Sequence, residues 1–595
     1  MNICAASGCF STYYKYVFTK EKYICISIRY LVSIAQPFST REFNLKLEKC
    51  DVYARIDSGW VCGLLREAEG NVKYASFRGI PYARQPLGAL RFQELGPVKP
   101  WTDVLDATVQ GPICPQAAFL YGRLMKPTPM NESCIFVNVH VPINALPKTK
   151  NDKLTEDDGK TDFPIFISIH GGGFAFGSGN SDLHGPEYLV SKGFIVITFN
   201  YRVNVFGFLS LNTTKIPGNA GLRDQLTLLR WVQRNARAFG GDPRDVTLAG
   251  QSAGAASAHL LALSEQTRGL FRRLIIMSGT AMPIFYSASS AYASTVAQKF
   301  LTAVGINSKD PDLIHDHLIK MPIEQIQDAN RKLLYENGLG ILLFCPVIEG
   351  KHPGVTRIVD DDPENLIKLG RDKEYPMIIG FTNNEMEAFK PRLKFTYALD
   401  RIKNDSLFVL ALDIQFGTDR DVALRLAKKV TEYYSRNELT FQDILVLYRH
   451  AFFQYPAFRL ARWRREINAS PSFLYQFTYD GDYSVLKEAW NAEYAGNAHV
   501  EDLTQIFRVN AILANEKKSF PPITRDDQMK DWMTKFIENF MRCNDPSCGK
   551  GWPPTDPQKM NYQSVYQPYM YNDTCPTAEE WDMIRFYDKI NEIAK

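Results

Sequence analysis

Asp245-Val246-Thr247-Leu248-Ala249-Gly250-Gln251-Ser252-Ala253-Gly254-Ala255-Ala256-Ser257-Ala258-His259-Leu260-Leu261-Ala262-Leu263 reads as a strand, a tight turn and a helix in immediate succession. The aliphatic run up to Ala249 suits a buried strand, and the Ala/Leu run after Gly254 suits a helix. Between them, Gly250-Gln251-Ser252-Ala253-Gly254 is a G-x-S-x-G turn in the context that gives it meaning. Its small residues let neighbouring chain pass close by, and its serine hydroxyl is presented at a strand end. A packing turn is the bland alternative, and the flanking strand and helix argue against it.

Similar apolar runs recur at Phe163 to Ile169, Phe194 to Phe199, Leu274 to Met277, Met377 to Gly380 and Phe473 to Phe477. They are short and lack alternation, as expected of strands covered on both faces. Helical segments separate them. Leu222, Leu226, Leu229 and Val232 recur at helical spacing, and Phe239-Gly240-Gly241-Asp242-Pro243 then stops the run. Met583, Phe586, Tyr587 and Ile590 form one stripe of a closing helix. The expected class is α/β, with a large, mostly parallel central sheet covered by helices on both faces.

Residues 1–49 lack turn punctuation and read as an N-terminal extension, while residues 50–595 read as a single domain. The polar stretch 148–162 between two strand-like runs reads as a surface loop. With 45% hydrophobic and 23% charged residues the composition is globular, and a net charge of +4 over 595 residues argues against nucleic acid as a partner. Arg459, Arg462, Arg464 and Arg465 are the nearest thing to a basic patch, and they read as the solvated face of a helix.

A serine hydroxyl needs a base, the base needs an acid to fix its tautomer, and a tetrahedral intermediate needs donors for its oxyanion. Among nine histidines, His499 in Gly496-Asn497-Ala498-His499-Val500-Glu501-Asp502 lies downstream of the serine. His259, inside the elbow helix, reads as a packing residue. Glu385 follows a strand-like run through Thr382-Asn383-Asn384, between serine and histidine in the chain. Glu387, two residues on, satisfies the same spacing. His170-Gly171-Gly172-Gly173-Phe174 directly follows a strand, and its glycines can turn amides inward, with Ala253 completing the set. Losing one such donor typically costs about 100-fold to 1,000-fold in turnover.

At these residues the sequence resembles the type-B carboxylesterase and cholinesterase family, from about Cys50 onward. Phe77-Arg78-Gly79-Ile80-Pro81-Tyr82-Ala83, Leu90-Arg91-Phe92, Asn200-Tyr201-Arg202-Val203, Gly218 to Gln225 and Phe239 to Pro243 all match family blocks. The resemblance implies the α/β-hydrolase fold and a triad of Ser252, Glu385 and His499. It also implies Gly172, Gly173 and Ala253 as oxyanion donors and a disulfide from Cys114 to Cys134. Ser133 and Met386 depart from the family's usual Asp and Gly.

Gln251, with Arg91-Phe92, Asp224-Gln225 and the Gly-x-x-His-x-x-Asp spacing around His499, resembles the juvenile hormone esterases of insects. The resemblance implies hydrolysis of neutral, largely apolar esters, with juvenile hormone the specific candidate and a broad or odorant-ester carboxylesterase the alternative. From another class, a non-catalytic adhesion or binding protein on the same scaffold remains as a rival. A neutral residue beside the serine removes one attraction for cations. The segment between Cys114 and Cys134 also has no Trp on which a quaternary ammonium would stack. Phe174 and Phe176 suit an apolar substrate, and equally a core.

No cofactor is required, and no His/Cys/Asp set has zinc-ligand spacing, so no metal is expected. The expected partners are an ester and water. Sequons at Asn131, Asn212, Asn404 and Asn572 make glycosylation candidates, while Pro471 weakens the one at Asn468. Residues 23–36 are the only candidate signal, broken by Arg29 and lacking a small-residue cleavage site. Secretion is the leading reading, with a mis-assigned start and cytoplasmic residence as the alternative. No run is apolar and long enough to span a bilayer. Cys543 and Cys548 suit either a small bridge or two free thiols.

Overall fold

Short aliphatic runs become the strands of one large sheet. The computed structural model describes residues 49–594 except 118–121, 126–127, 148, 151–152, 155–161, 283–289, 337–342 and 514–523. The candidate signal segment 23–36, nearly all of the N-terminal extension and most of the polar stretch 148–162 lie outside the described residues.

In chain order the strands are β1 (Val52–Ile56), β2 (Gly59–Glu67), β3 (Lys73–Pro81), β4 (Phe136–Pro142), β5 (Phe163–Ile169) and β6 (Ile195–Phe199). They continue as β7 (Gly241–Gln251), β8 (Arg273–Met277), β9 (Met377–Thr382), β10 (Ser472–Phe477), β11 (Tyr562–Val565) and β12 (Asp573–Thr574). With the short Leu105–Asp106 beside β2, the sheet has 13 strands among the described residues, in the order β1-β2-β3-β4-β6-β5-β7-β8-β9-β10-β11-β12. From β6 to β11 every neighbour is parallel. The margins, β1 to β4 with β6 and β11 with β12, are antiparallel.

Each central strand feeds two cores. Ile165, Ile167 and Ile169 of β5 and Leu274 and Ile276 of β8 enter one apolar cluster. Phe166, Ile275 and Met277 enter the other. Burial of both faces is why these strands read as nearly continuous apolar runs. On the first face sit α1 (Ala220–Asn235) and α2 (Ala253–Leu263). Over the second lies α4 (Arg525–Cys543), burying Met529, Trp532, Met533, Phe536, Ile537 and Phe540. The expected stop after α1 is present: one 3-10 turn (Ala236–Phe239) follows, Gly240 adopts φ +79°, and β7 begins at once.

The basic cluster corrects the sequence expectation. It lies on α3 (Tyr455–Glu466), which packs against β10 and the closing helix α5 (Ala578–Ala594). Arg459 pairs with Glu364 at 2.5 Å, Arg462 with Asp588 at 2.6 Å, and Arg464 with Asp372 at 2.5 Å in full burial. Only Arg465 is exposed. Far from forming a solvated face, the guanidiniums join segments distant in sequence.

The switch in strand order positions the site. From β5 the chain passes to β6 on one side and then to β7 on the other, opening a crevice beyond the carboxyl ends of β5 and β7. Register pairs Gly250 with Ile169, Gln251 with Met277, Met277 with Gly380, and Thr382 with Phe477. The segments leaving β5, β7, β8, β9 and β10 therefore emerge along one edge.

Candidate active site

Ser252 sits at the turn from β7 into α2 with φ +58° and ψ −125°, backbone values that cost energy for any residue with a Cβ. The turn persists because its neighbours over-determine it. The Ser252 N–H donates to Met277 O at 2.8 Å, and the Ser252 carbonyl accepts from Ala256 N at 3.0 Å. A Cβ at Gly254 would collide with the Ile169 carbonyl, so the close approach of β5 demands glycine there. Phe174 (φ +58°), Ser278 (φ +53°) and Val500 (φ +86°) are three further non-glycine residues with positive φ in the same segments. Strain collects at this edge, as it does at functional sites generally.

The Gly run lies beside the elbow, with Gly172 at φ +111°. Among the described residues, the backbone N–H groups of Gly172, Gly173 and Ala253 donate no hydrogen bond within the chain. That leaves donors free next to Ser252. The run is held from behind by Gln116, whose amide donates to Gly177 O at 2.9 Å and accepts from Gly177 N at 2.7 Å. Gln116 follows Cys114, which is bridged to Cys134 (S–S 2.02 Å). No local sequence pattern marks Gln116 for this role; only its place two residues after a bridged cysteine could have drawn attention to it. His170 stacks on Tyr201 with centroids 4.2 Å apart, and burial lowers its pKa to about 4, so it stays neutral.

Glu385 and His499 meet. The His499 N–H at Nδ1 donates to Glu385 Oε2 at 2.6 Å, and the carboxylate's other oxygen accepts from Ser278 Oγ at 2.6 Å and Thr382 N at 2.8 Å. Glu387 instead pairs with Lys390 at 3.0 Å. Met386, where the family pattern has Gly, turns into the core. The histidine loop is tied to the acid's loop through His499 N to Glu385 O (3.2 Å) and Asn497 N to Asn383 Oδ1 (2.8 Å).

On the imidazole's other side, Nε2 lies 3.1 Å from Gln251 Nε2. No hydrogen bond joins Ser252 Oγ to His499 among the described residues, a separation common in unliganded hydrolytic sites. Phe389 and Phe453 flank the ring with centroids at 5.1 and 5.0 Å. Phe453 lies in a π-turn (His450–Gln454) that leads into α3, and such turns are frequent at functional sites. Neither aromatic was singled out from sequence.

Phe174 and Phe176 are both fully buried, Phe174 edge-on to Phe208 at 5.0 Å and Phe176 in the second core. Behind His499, Asp502 accepts from Tyr475 OH at 2.7 Å, and burial, with Glu385 nearby, pushes its pKa up to about 6. Glu501 accepts from Ala498 N at 2.6 Å and from Ser484 Oγ, and burial pushes it up to about 7. Family blocks that looked arbitrary in sequence are buried ion pairs: Arg91 with Glu132 at 2.6 Å and Arg202 with Asp224 at 2.6 Å.

Two more bridges, Cys50 to Cys62 and Cys543 to Cys548, are present. Asn131, Asn212 and Asn404 are exposed and Asn572 is partly exposed. Among the described residues no cluster could hold a metal, and no helix is long and apolar enough to cross a membrane.

The profile of the carboxylesterase family matches residues 51–580. Juvenile hormone esterase of Heliothis virescens is 44% identical over 569 residues, covering 95% of this chain and 98% of that protein. The crystal structure of juvenile hormone esterase from Manduca sexta, with OTFP covalently attached, aligns with a TM-score of 0.87 at 48% identity, covering 91% of this chain and 99% of that one. Para-nitrobenzyl esterase of Bacillus subtilis (strain 168) is 31% identical over 424 residues, covering 70% of this chain and 77% of that protein. The chain is a carboxylic ester hydrolase and belongs to the carboxylesterase family.

Proposed function

We propose that Ser252, His499 and Glu385 carry a two-step ester hydrolysis and that the physiological substrate is juvenile hormone. The Ser252 hydroxyl passes its proton to His499 Nε2 as its oxygen attacks the ester carbonyl. The oxyanion so formed is met by the N–H groups of Gly172, Gly173 and Ala253, and the imidazolium by the Glu385 carboxylate. Imidazolium then returns the proton to the departing alcohol, leaving an acyl-serine. Water repeats the sequence and frees the acid. What carries the mechanism is the line from the Ser278-held Glu385 carboxylate through His499 to the strained elbow.

Two observations favour juvenile hormone over other esters. The relatives from Heliothis virescens and Manduca sexta are named for that activity. The base is also walled by Phe389 and Phe453, and an uncharged Gln251 adjoins the nucleophile, a setting for a neutral apolar ester with Phe174 and Phe176 backing the donor loop. We further propose residues 50–595 as one catalytic domain and secretion as the destination, on the three bridges and the sequons at Asn131, Asn212, Asn404 and Asn572.

Ser252→Ala is expected to abolish hydrolysis of a short aryl ester and labelling by an organophosphate; retained turnover overturns the mechanism. Side-by-side kcat/KM for juvenile hormone, an aliphatic acetate and the aryl ester tests the substrate. Juvenile hormone should exceed both by at least about tenfold, and comparable values would assign a broad carboxylesterase instead.

A further inference from the structure

Glu385 settles which nitrogen of His499 carries the proton. A carboxylate oxygen 2.6 Å from Nδ1 requires a hydrogen there, so in the neutral ring the lone pair lies on Nε2. That lone pair faces the Gln251 side chain, which must then present its N–H, at 3.1 Å. The other end of the amide, Gln251 Oε1, is buried and has no hydrogen-bond partner among the described residues, and Gln251 as a whole is 1% exposed. A buried acceptor left unmatched costs free energy in the state that leaves it so, and its retention calls for another state that uses it. Protonation of His499 creates such a state. Both ring nitrogens then donate, and an N–H facing an N–H is repulsive until the amide turns.

We propose that Gln251 is a positioning residue that serves both protonation states of His499, occupying the Nε2 lone pair in the resting protein and turning its Oε1 toward Nε2–H once the ring is charged. The inference rests on the triad reading above. It gives Gln251 two effects. In the resting state its amide competes with Ser252 for the base. When imidazolium forms, the same side chain supplies an acceptor without adding a charge.

The other groups facing this ring do not substitute for it. Glu385 is on the opposite nitrogen, Asp502 is committed to Tyr475, Glu501 to Ala498 and Ser484, and the flanking Phe389 and Phe453 are uncharged. Arg449, one residue before the π-turn, donates to Asn383 O and contacts His450.

The test is the acid limb of kcat/KM for a short aryl ester, on the full chain, with active fractions counted by organophosphate labelling. Gln251→Glu supplies only acceptors and a negative charge, which favours imidazolium, so its limb should move up by about 1 pH unit or more. Gln251→Met keeps length and burial and removes both hydrogen-bonding faces. Imidazolium loses more than the neutral ring because charge-assisted bonds are the stronger, so its limb should move down. A merely structural role predicts no such opposed pair. If Gln251→Glu does not fold, the downward displacement in Gln251→Met is still required. Both limbs unmoved, with Ser252→Ala inactive, overturns the Gln251 role alone. Retained turnover in Ser252→Ala overturns both.

Discussion

His259 and His499 are both buried, and each meets a fully buried carboxylate: His259 Nε2 lies 3.1 Å from Asp372 Oδ2, and His499 Nδ1 lies 2.6 Å from Glu385 Oε2. They differ at the second nitrogen. His259 Nδ1 accepts from Ala281 N at 3.0 Å, a backbone bond that fixes the ring, and Asp372 is further held by Arg464. The second nitrogen of His499 faces a rotatable amide beside a strained serine. A histidine–carboxylate pair is thus a structural tie when both ring nitrogens end on fixed partners. On the proposed mechanism it becomes a proton relay when one of them is left to a partner that can yield.

The largest effect that could break this contrast is at the acid. Glu385→Gln presents an amide to Nδ1, disturbs the tautomer and removes the charge that stabilises imidazolium, so kcat should fall by about 10,000-fold. A loss under tenfold in steady-state assays would erase the distinction between the pairs. Next, His259→Gln should leave kcat/KM per active site within a few-fold and lower stability by about 1–3 kcal/mol in urea denaturation, since it unties a buried network. A hundredfold drop in kcat/KM would place His259 in the relay after all.

The smallest effect concerns Asp502. Its pKa is raised from 3.8 to about 6, so the stability linked to its protonated form is complete below pH 3.8 and is lost as pH rises through 6. Asp502→Asn retains an acceptor for Tyr475 OH and cannot ionise. Its stability should therefore decline less than the parent's between pH 4 and pH 7, measured by denaturant midpoints at each pH. Identical slopes would show that the carboxylates behind His499 do not feel the low-dielectric setting ascribed to them. Glu501, raised to about 7, has the same sign and bounds how much of the slope Asp502 can account for.

Central strands were legible because burial on both faces writes a near-continuous apolar run, as in Phe163 to Ile169, broken only by Ser168, and Met377 to Gly380. The antiparallel margin was not. β2 is fully buried only at Val61, Cys62 and Gly63, with Leu65, Arg66 and Glu67 exposed, and nothing in Gly59–Glu67 announces its partners. In the site, Ser252 and the Gly run were legible because turns leave local signatures. Glu385 could be told from Glu387 only in three dimensions, where one carboxylate finds Ser278 and His499 and the other finds Lys390. Gln116, Phe389 and Phe453 act through contacts that no local pattern encodes. The arginines of α3 read differently for the same reason: the acids that pair with Arg459 and Arg462 lie 95 and 126 residues away.

Gln251 and His499 are 248 residues apart in the chain. At about 5–20 residues per second a ribosome takes about 12–50 s to cover that distance. Through this interval the elbow serine exists without its proposed base, and the proposed acid arrives only partway along. On the proposed mechanism, a nascent chain, or one terminated before His499, would carry the nucleophile without the base that activates it. Chain order thus doubles as a timetable, in which the proposed triad is complete only once His499 has been made.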